Sequence, residues 1–340
     1  MQNRIIDEDV KSIQNELDLS WFSNKKILIT GASGMVGFYL FRCFSDLLST
    51  KISPKELWVI SKSGIYPDQL PSNKQINYVK ADLCDDHLTS KLPKFDVIFH
   101  AGGYAQPGLF LEDPLSTIKI NTTSTLALLN LLNKNGKFLF FSSSEVYSGS
   151  PNIPYRESDI GTTNTFHERA PYIEGKRCGE AIVDSARKNL NLGAVSVRLS
   201  LVYGPGTKKD DRRVLTSIIN QSLNLNKINL LDDGSAQRTY CYITDAIKLS
   251  IVALLKGTES IYNVGGISEI TILDLARKIA YLTQSELFPG ENQNSFKNAP
   301  VRVKLNLESI IELIGSHKFV DIDTGLARTI DWSKKIHEQQ

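Results

Sequence analysis

The stretch Lys26-Ile-Leu-Ile-Thr-Gly-Ala-Ser-Gly-Met-Val-Gly-Phe-Tyr-Leu-Phe-Arg-Cys43 decides the fold. It opens with a short apolar run of strand character, stops at Gly31, spaces three glycines as GxxGxxG, and continues with helical periodicity. A strand, a glycine turn and a helix in that order let a pyrophosphate approach the free N–H groups of the helix N-terminus, where the dipole also favours negative charge. The turn therefore predicts a dinucleotide site.

Outward from this unit the pattern repeats. Strand-like runs fall at 57–60, 77–80, 96–100, 137–141 and 194–198, with helical stretches near 36–48, 114–133 and 172–190. Alternation of this kind predicts an α/β fold, a Rossmann-like doubly wound parallel sheet with helices on both faces. Beyond Gly206 the alternation becomes irregular: helices near 212–223, 243–255 and 270–282, and short strands at 228–231 and 261–264. This predicts a smaller α/β substrate lobe. The expected organisation is a helical extension over 1–24, a cofactor domain over 25–205, and a lobe over 206–340 whose segment 240–265 partly returns to the sheet. Residues 284–300 are polar, contain two prolines and read as an exposed loop.

The 340 residues suit about two units. With 41% hydrophobic and 22% charged residues the chain can bury a large core, which excludes a disordered chain. A net charge of +2 leaves no general field for nucleic acid or an anionic membrane, although a few placed cations can still hold an anionic small ligand. Cys43, Cys84, Cys178 and Cys241 lie far apart, which predicts neither a metal site nor a disulfide framework, but reduced, buried thiols. The charged N-terminus has no apolar signal core, and no run reaches the ~20 apolar residues of a membrane span, so a cytoplasmic protein is expected.

After the second strand, the position that would hydrogen-bond the adenosine ribose reads Ser61-Lys62-Ser63-Gly64, without a carboxylate. A small hydroxyl followed by a cation accommodates a 2′-phosphate that an Asp would repel, so NAD and NADP both stay open. Asp82 and Leu83, after the third strand, are placed to contact the adenine. Tyr172 and Lys176 are four apart on a predicted helix and share a face, where a cation lowers the pKa of a phenol and makes it a feasible base.

Further segments coincide with one family. Thr30 to Gly37, His100-Ala-Gly-Gly-Tyr-Ala-Gln-Pro107, Asp113 to Thr122, Ser142-Ser-Ser-Glu-Val-Tyr147, Tyr172-Ile-Glu-Gly-Lys176, Arg198 to Gly206 and Gln237-Arg-Thr-Tyr-Cys-Tyr-Ile-Thr-Asp245 resemble the extended short-chain dehydrogenase/reductases. The resemblance covers roughly residues 25 to 335 and points to the group of nucleotide-sugar epimerases, dehydratases and decarboxylases. It implies that Tyr172 removes a hydroxyl proton while hydride passes to nicotinamide, that Lys176 binds the nicotinamide ribose, and that Ser143 hydrogen-bonds the 4-oxygen of the sugar. It places further cofactor contacts on Gly31, Ser33, Gly34, Met35, Val36, Gly37, Ala101, Gly102 and Asn121. Substrate contacts fall on Tyr104, Gln106, Arg213 and Arg238.

Glu145 carries the most information about the reaction. A carboxylate two residues beyond the serine is similar to the UDP-glucuronate decarboxylases and to the GDP-mannose 4,6-dehydratases, and can move a proton at C5 of a 4-keto sugar. Tyr172-Ile-Glu-Gly-Lys-Arg177 and the arginine of Gln237-Arg-Thr-Tyr240 resemble the decarboxylases more closely. The implied activity is NAD(P)-dependent decarboxylation of a nucleotide-linked hexuronate. A 4,6-dehydratase is the runner-up, followed by a 4-epimerase or ketosugar reductase. A non-catalytic cofactor sensor would have no use for Ser143, Tyr172 and Lys176 together. The chain departs from the family at Leu201, where many relatives carry Asn, at Ser61-Lys62 and at Tyr104-Ala-Gln-Pro107. The resemblance also implies a homodimer through the helices near 114–133 and 172–190.

Overall fold

The structure, a computed structural model, describes residues 4–64, 73–291 and 301–337. In chain order the elements begin α1 (Arg4–Glu16), β1 (Lys26–Thr30), α2 (Met35–Leu47), β2 (Glu56–Ser61), β3 (Ile76–Lys80), β4 (Phe95–His100), α3 (Pro107–Glu112), α4 (Pro114–Asn121) and α5 (Thr123–Leu129). They continue with β5 (Leu132–Ser143), α6 (Ala170–Leu190), β6 (Gly193–Leu199), β7 (Val202–Tyr203), α7 (Val214–Leu225), β8 (Lys227–Asn229), β9 (Gln237–Tyr242), α8 (Ile243–Lys256) and β10 (Ile261–Val264). The last are β11 (Ser268–Thr271), α9 (Ile272–Thr283), β12 (Glu286–Phe288), β13 (Arg302–Val303), α10 (Glu308–Ile314) and α11 (Ile322–His337).

The expected doubly wound α/β sheet is present. Seven parallel strands lie in the order β10-β6-β5-β4-β1-β2-β3. The order reverses between β1 and β4, and the crevice at their carboxyl ends is where such sheets take ligands. The apolar runs make this possible: Ile27, Leu28 and Ile29 of β1 and Val97, Ile98 and Phe99 of β4 are fully buried, as strands covered on both faces must be. Each such side chain contributes roughly 1.5–3 kcal/mol on leaving water.

A second sheet sets β9 between β11 and β13, with β7 paired to β9, and β8 pairs with β12. Helix α8 is buried almost throughout its length and packs against β5, β6, β9 and α1, so the segment between the two sheets is itself core. Strand β10 then forms the edge of the large sheet, in register with 196–199 of β6.

Several expected elements differ. The single helix over 114–133 is two helices, because Thr122 leaves helical geometry (φ −113°, ψ −82°), and the chain from Leu132 already pairs with Phe95. The helix over 270–282 starts later, at Ile272, because Thr271 caps it by accepting the Asp274 N–H at 3.0 Å, while 268–271 pair with β9. Within the expected loop 284–300, residues 286–288 form a strand against β8, and 292–300 lie outside the described residues. Cys43 and Cys241 are buried thiols, but Cys84 is half-buried and Cys178 is exposed on α6, where its helical position faces outward. Among the described residues no helix is long and apolar enough to cross a membrane.

Candidate active site

The glycine turn has the geometry that the sequence spacing requires. Gly31 has φ +70°, and a Cβ there would lie 2.5 Å from the Ala101 carbonyl; at Gly37 it would lie 2.4 Å from the Gly31 carbonyl. Only glycine lets β1, the start of α2 and the end of β4 approach this closely. Gly34 stands at the N-cap of α2 with no side chain to cap it, so the first N–H groups of that helix remain available to an anion. Of the neighbouring expected contacts, Met35 is buried with its sulfur 3.3 Å from Thr207 Oγ1, Val36 packs on the core, and Ala101 follows β4 directly. The Gly102 N–H donates to Thr30 Oγ1 at 3.1 Å.

Asn121 ends α4 fully buried; its Nδ2 donates to the Thr117 carbonyl at 2.7 Å, while its Oδ1 has no partner among the described residues. An orphaned acceptor on a side chain against Gly175 of α6, the residue before buried Lys176, fits a bound dinucleotide with the ordered water that such a group carries.

At the other end of the crevice, Ser61 is buried and donates to the Gly64 carbonyl at 3.2 Å. Lys62 pairs with Asp82 at 2.8 Å and donates to the Tyr104 hydroxyl at 3.2 Å. Tyr104, expected to face the sugar, thus has its described contact on the adenosine side. Asp82 also accepts the Cys84 N–H at 2.9 Å, and Leu83 lies against Gly102.

The catalytic candidates converge where β5 ends. Ser143 is its last residue, and its Oγ accepts the Glu145 N–H at 3.2 Å across the 3₁₀ turn Ser144–Tyr147. Tyr172 lies in the first turn of α6, buried and stacked on Phe110 with ring centroids 4.6 Å apart. Lys176, one turn later and also buried, donates to the Phe141 carbonyl at 2.6 Å. Burial pushes the Tyr172 phenol up to about 12, against a lowering hydrogen bond from Ser143, and pushes Lys176 down to about 7. The expected lowering of the phenol by Lys176 is not found: desolvation dominates both groups, and the cations that bear on Tyr172 are Arg169 and Arg213.

Arg169 was not legible as a site residue, though its position one turn before Tyr172 was a usable signal. Its Nη2 donates to Glu145 Oε1 at 2.7 Å, and its buried Nε has no described partner. Arg213, expected to meet a diphosphate, spends its guanidinium on Asp211 at 2.6 Å. Its neighbour two residues back satisfies it locally. Arg238 on β9 donates to the Gln237 and Val301 carbonyls and has no carboxylate partner among the described residues. Its half-buried charge is felt by Glu145 and Tyr155. Gln106 serves through its backbone, its carbonyl accepting the Leu109 and Phe110 N–H groups at the start of α3.

Beneath the site, Glu180 receives a bidentate pair from Arg198 at 2.8 and 2.9 Å and a hydrogen bond from Ser142 at 2.5 Å. Arg198 also donates to Tyr147, which donates to Asn263 at 2.6 Å. This buried network ties β5, α6, β6 and β10 together directly below 142–147, and so holds Ser143 and Glu145 in place.

Comparison with known proteins agrees with this geometry. The model of the NAD dependent epimerase/dehydratase family matches residues 27–265. UDP-glucuronic acid decarboxylase 6 of Arabidopsis thaliana is 28% identical over 309 residues, 89% of this chain and 87% of the relative. UDP-glucuronic acid decarboxylase 1 of Xenopus tropicalis is 29% identical over 329 residues, 95% and 75% of the two chains. An epimerase from Methanothermobacter thermautotrophicus superposes with a TM-score of 0.81 at 22% identity, covering 96% of each chain. A dTDP-glucose 4,6-dehydratase from Streptomyces venezuelae, solved with NAD bound, gives 0.78 at 19% identity over 92% of this chain and 98% of that one. A glycine cradle at the switch point, a Ser-Tyr-Lys set at the end of β5 and a family match over most of the chain converge: this protein belongs to the NAD-dependent epimerase/dehydratase family.

Proposed function

We propose that this chain is an enzyme that oxidises a nucleotide-diphosphate sugar at C4 and decarboxylates it through the 4-keto intermediate, with a nucleotide-linked hexuronate as substrate. One observation carries the choice of an acidic sugar. Glu145 stands by two guanidinium groups, Arg169 at 2.7 Å and Arg238, and Arg238 has no carboxylate partner among the described residues. A substrate carboxylate supplies the anion that Arg238 lacks, and guanidinium forks suit carboxylates. The similarity to UDP-glucuronic acid decarboxylases supports the same reading.

In this scheme Tyr172 takes the proton of the C4 hydroxyl, Ser143 hydrogen-bonds the same oxygen, and Lys176 holds the ribose side of the cofactor. When bound, the nicotinamide ring accepts the C4 hydride. The C4 ketone is then β to the C6 carboxylate, so the C5–C6 bond breaks, carbon dioxide leaves, and the electron pair moves onto the enolate oxygen. Glu145 then delivers the proton that C5 takes up in place of the departed carbon dioxide. The same carboxylate would serve C5 deprotonation in a 4,6-dehydratase, which is the second reading.

The test incubates purified protein with UDP-glucuronate, GDP-mannose, dTDP-glucose and UDP-N-acetylglucosamine, with NAD or NADP, and follows products by mass spectrometry. Loss of carbon dioxide from UDP-glucuronate alone is the expected result. Loss of water from a neutral hexose establishes the dehydratase reading instead, and unchanged masses throughout overturn both.

We also propose a homodimer through α4, α5 and α6. Leu115 lies exposed on α4, and exposed Leu126 lines a groove with Leu129, Cys178, Ile182 and Leu190. Light scattering that shows only monomer at micromolar concentration refutes it.

A further inference from the structure

The mouth of the crevice beyond the glycine turn is built from residues that suit an anion. Strand β2 runs parallel between β1 and β3, with the Gly31 N–H on the Ile60 carbonyl at 2.9 Å, so Ser61 emerges beside the turn that cradles the pyrophosphate. An acidic side chain at such a strand end binds both ribose hydroxyls and repels a phosphate on either. Ser61 places a buried, neutral hydroxymethyl there instead. The next residues turn back at Gly64 (φ +77°), bringing Ser63 Oγ to 3.0 Å from Ser33 Oγ of the glycine turn. Two rotatable hydroxyls from opposite sides of the mouth therefore meet at one point.

Lys62 stands beside them. Its Nζ lies 2.8 Å from Asp82 Oδ2, the carboxylate it pairs with, and the pair is exposed, 60% and 36% at the two side chains. An exposed pair of this kind is weak, and a phosphate dianion outcompetes a single carboxylate for an ammonium. Asp82 keeps its hydrogen bond from the Cys84 N–H when Lys62 turns away, so releasing the cation leaves that turn intact.

We propose that this chain prefers the 2′-phosphorylated nicotinamide dinucleotide, with Lys62 as the discriminating cation and the Ser33, Ser61 and Ser63 hydroxyls surrounding the phosphate. The proposal rests on the reading that the glycine turn holds a nicotinamide dinucleotide, and is independent of the sugar and the reaction. Asp82 acts as the placeholder that keeps Lys62 over the site, and the Tyr104 ring, 5.9 Å from Nζ, backs the cation from the β4 side.

The experiment titrates NADPH and NADH separately into the full-length protein, without sugar, by isothermal calorimetry. The variants are Lys62→Ala, Lys62→Arg and Ser61→Asp, each checked for an unchanged circular dichroism spectrum. The wild type is expected to bind NADPH at least ~10-fold more tightly than NADH, from one cation and its hydroxyls on a dianion. Lys62→Ala is expected to remove most of that ratio while leaving NADH affinity within about threefold, Lys62→Arg to retain it, and Ser61→Asp to reverse it. Equal or tighter NADH binding by the wild type overturns the proposal alone, as does a Lys62→Ala variant that weakens both nucleotides equally. Binding of neither nucleotide overturns the dinucleotide reading with it.

Discussion

Arg169 stands one helical turn before Tyr172 and donates to Glu145 at 2.7 Å, so the guanidinium that directs the carboxylate and the phenol beside it ride on the same end of α6. Helix α6 thereby sets the Tyr172 phenol and the partner of Glu145 against the end of β5 at once.

If Glu145 relays the C5 proton, Glu145→Gln lowers kcat by ~10²–10⁴ while C4 oxidation, read as nicotinamide absorbance at 340 nm, still proceeds. Arg169→Ala leaves the carboxylate undirected and lowers kcat by about 10-fold or more, with Arg169→Lys recovering part of it. A normal rate of formation of the C5-protonated, decarboxylated sugar in Glu145→Gln refutes the assignment.

Tyr172→Phe removes the phenol oxygen but keeps the stack on Phe110, so the fold persists. Turnover is expected to fall by ~10²–10⁴ with cofactor affinity changed less than about threefold, read by steady-state kinetics beside calorimetry. Retained turnover means that another group takes the proton.

Lys176 makes stability depend on pH. Its folded value near 7 lies below the ordinary 10.5, so between these values the unfolded chain binds more protons than the folded one. Folding stability therefore rises as pH climbs through this window, by an amount on the order of a few kcal/mol from this group. Lys176→Met is expected to flatten that rise and to raise the melting temperature at pH 7, where burying an ammonium costs most. Thermal scans at pH 6.5, 8 and 9.5 check this, and parallel slopes for variant and wild type contradict it.

Glu180→Gln leaves Arg198 buried opposite a neutral amide and loosens Ser142. Breaking one side of such a pair costs about 3–5 kcal/mol, so urea unfolding is expected to show a clearly lower midpoint. A shift below about 1 kcal/mol means that the network is relaxed or hydrated.

What could be read from sequence was local. The turn from Thr30 to Gly37 and the Tyr172–Lys176 pair lie within a few residues along the chain, where backbone geometry alone sets who faces whom. Helix α1 was legible as amphipathic from Val10, Ile13 and Leu17 at helical spacing; Val10 and Ile13 are buried in it, while Leu17 lies just past its end, partly buried against the core. Its Asp9 was not: it accepts from Tyr39, from Tyr242 across 233 residues and from Arg328 across 319, a clasp that joins both ends of the chain to the sheet. Leu201 has φ +43°, a left-handed position where Asn sits more easily, which gives the departure from the family a backbone consequence.

The sequence by itself determined the strand–helix alternation of the large sheet, the glycine turn and the Tyr172–Lys176 spacing, because hydrophobic period and glycine spacing act within a turn or two of chain. Only the tertiary structure decided how the charges are shared: Arg213 is taken by Asp211, Lys62 by Asp82, Arg169 by Glu145, and Arg238 has no acid among the described residues. Ion pairing depends on distance and desolvation in space, and composition states how many charges there are without stating which of them meet.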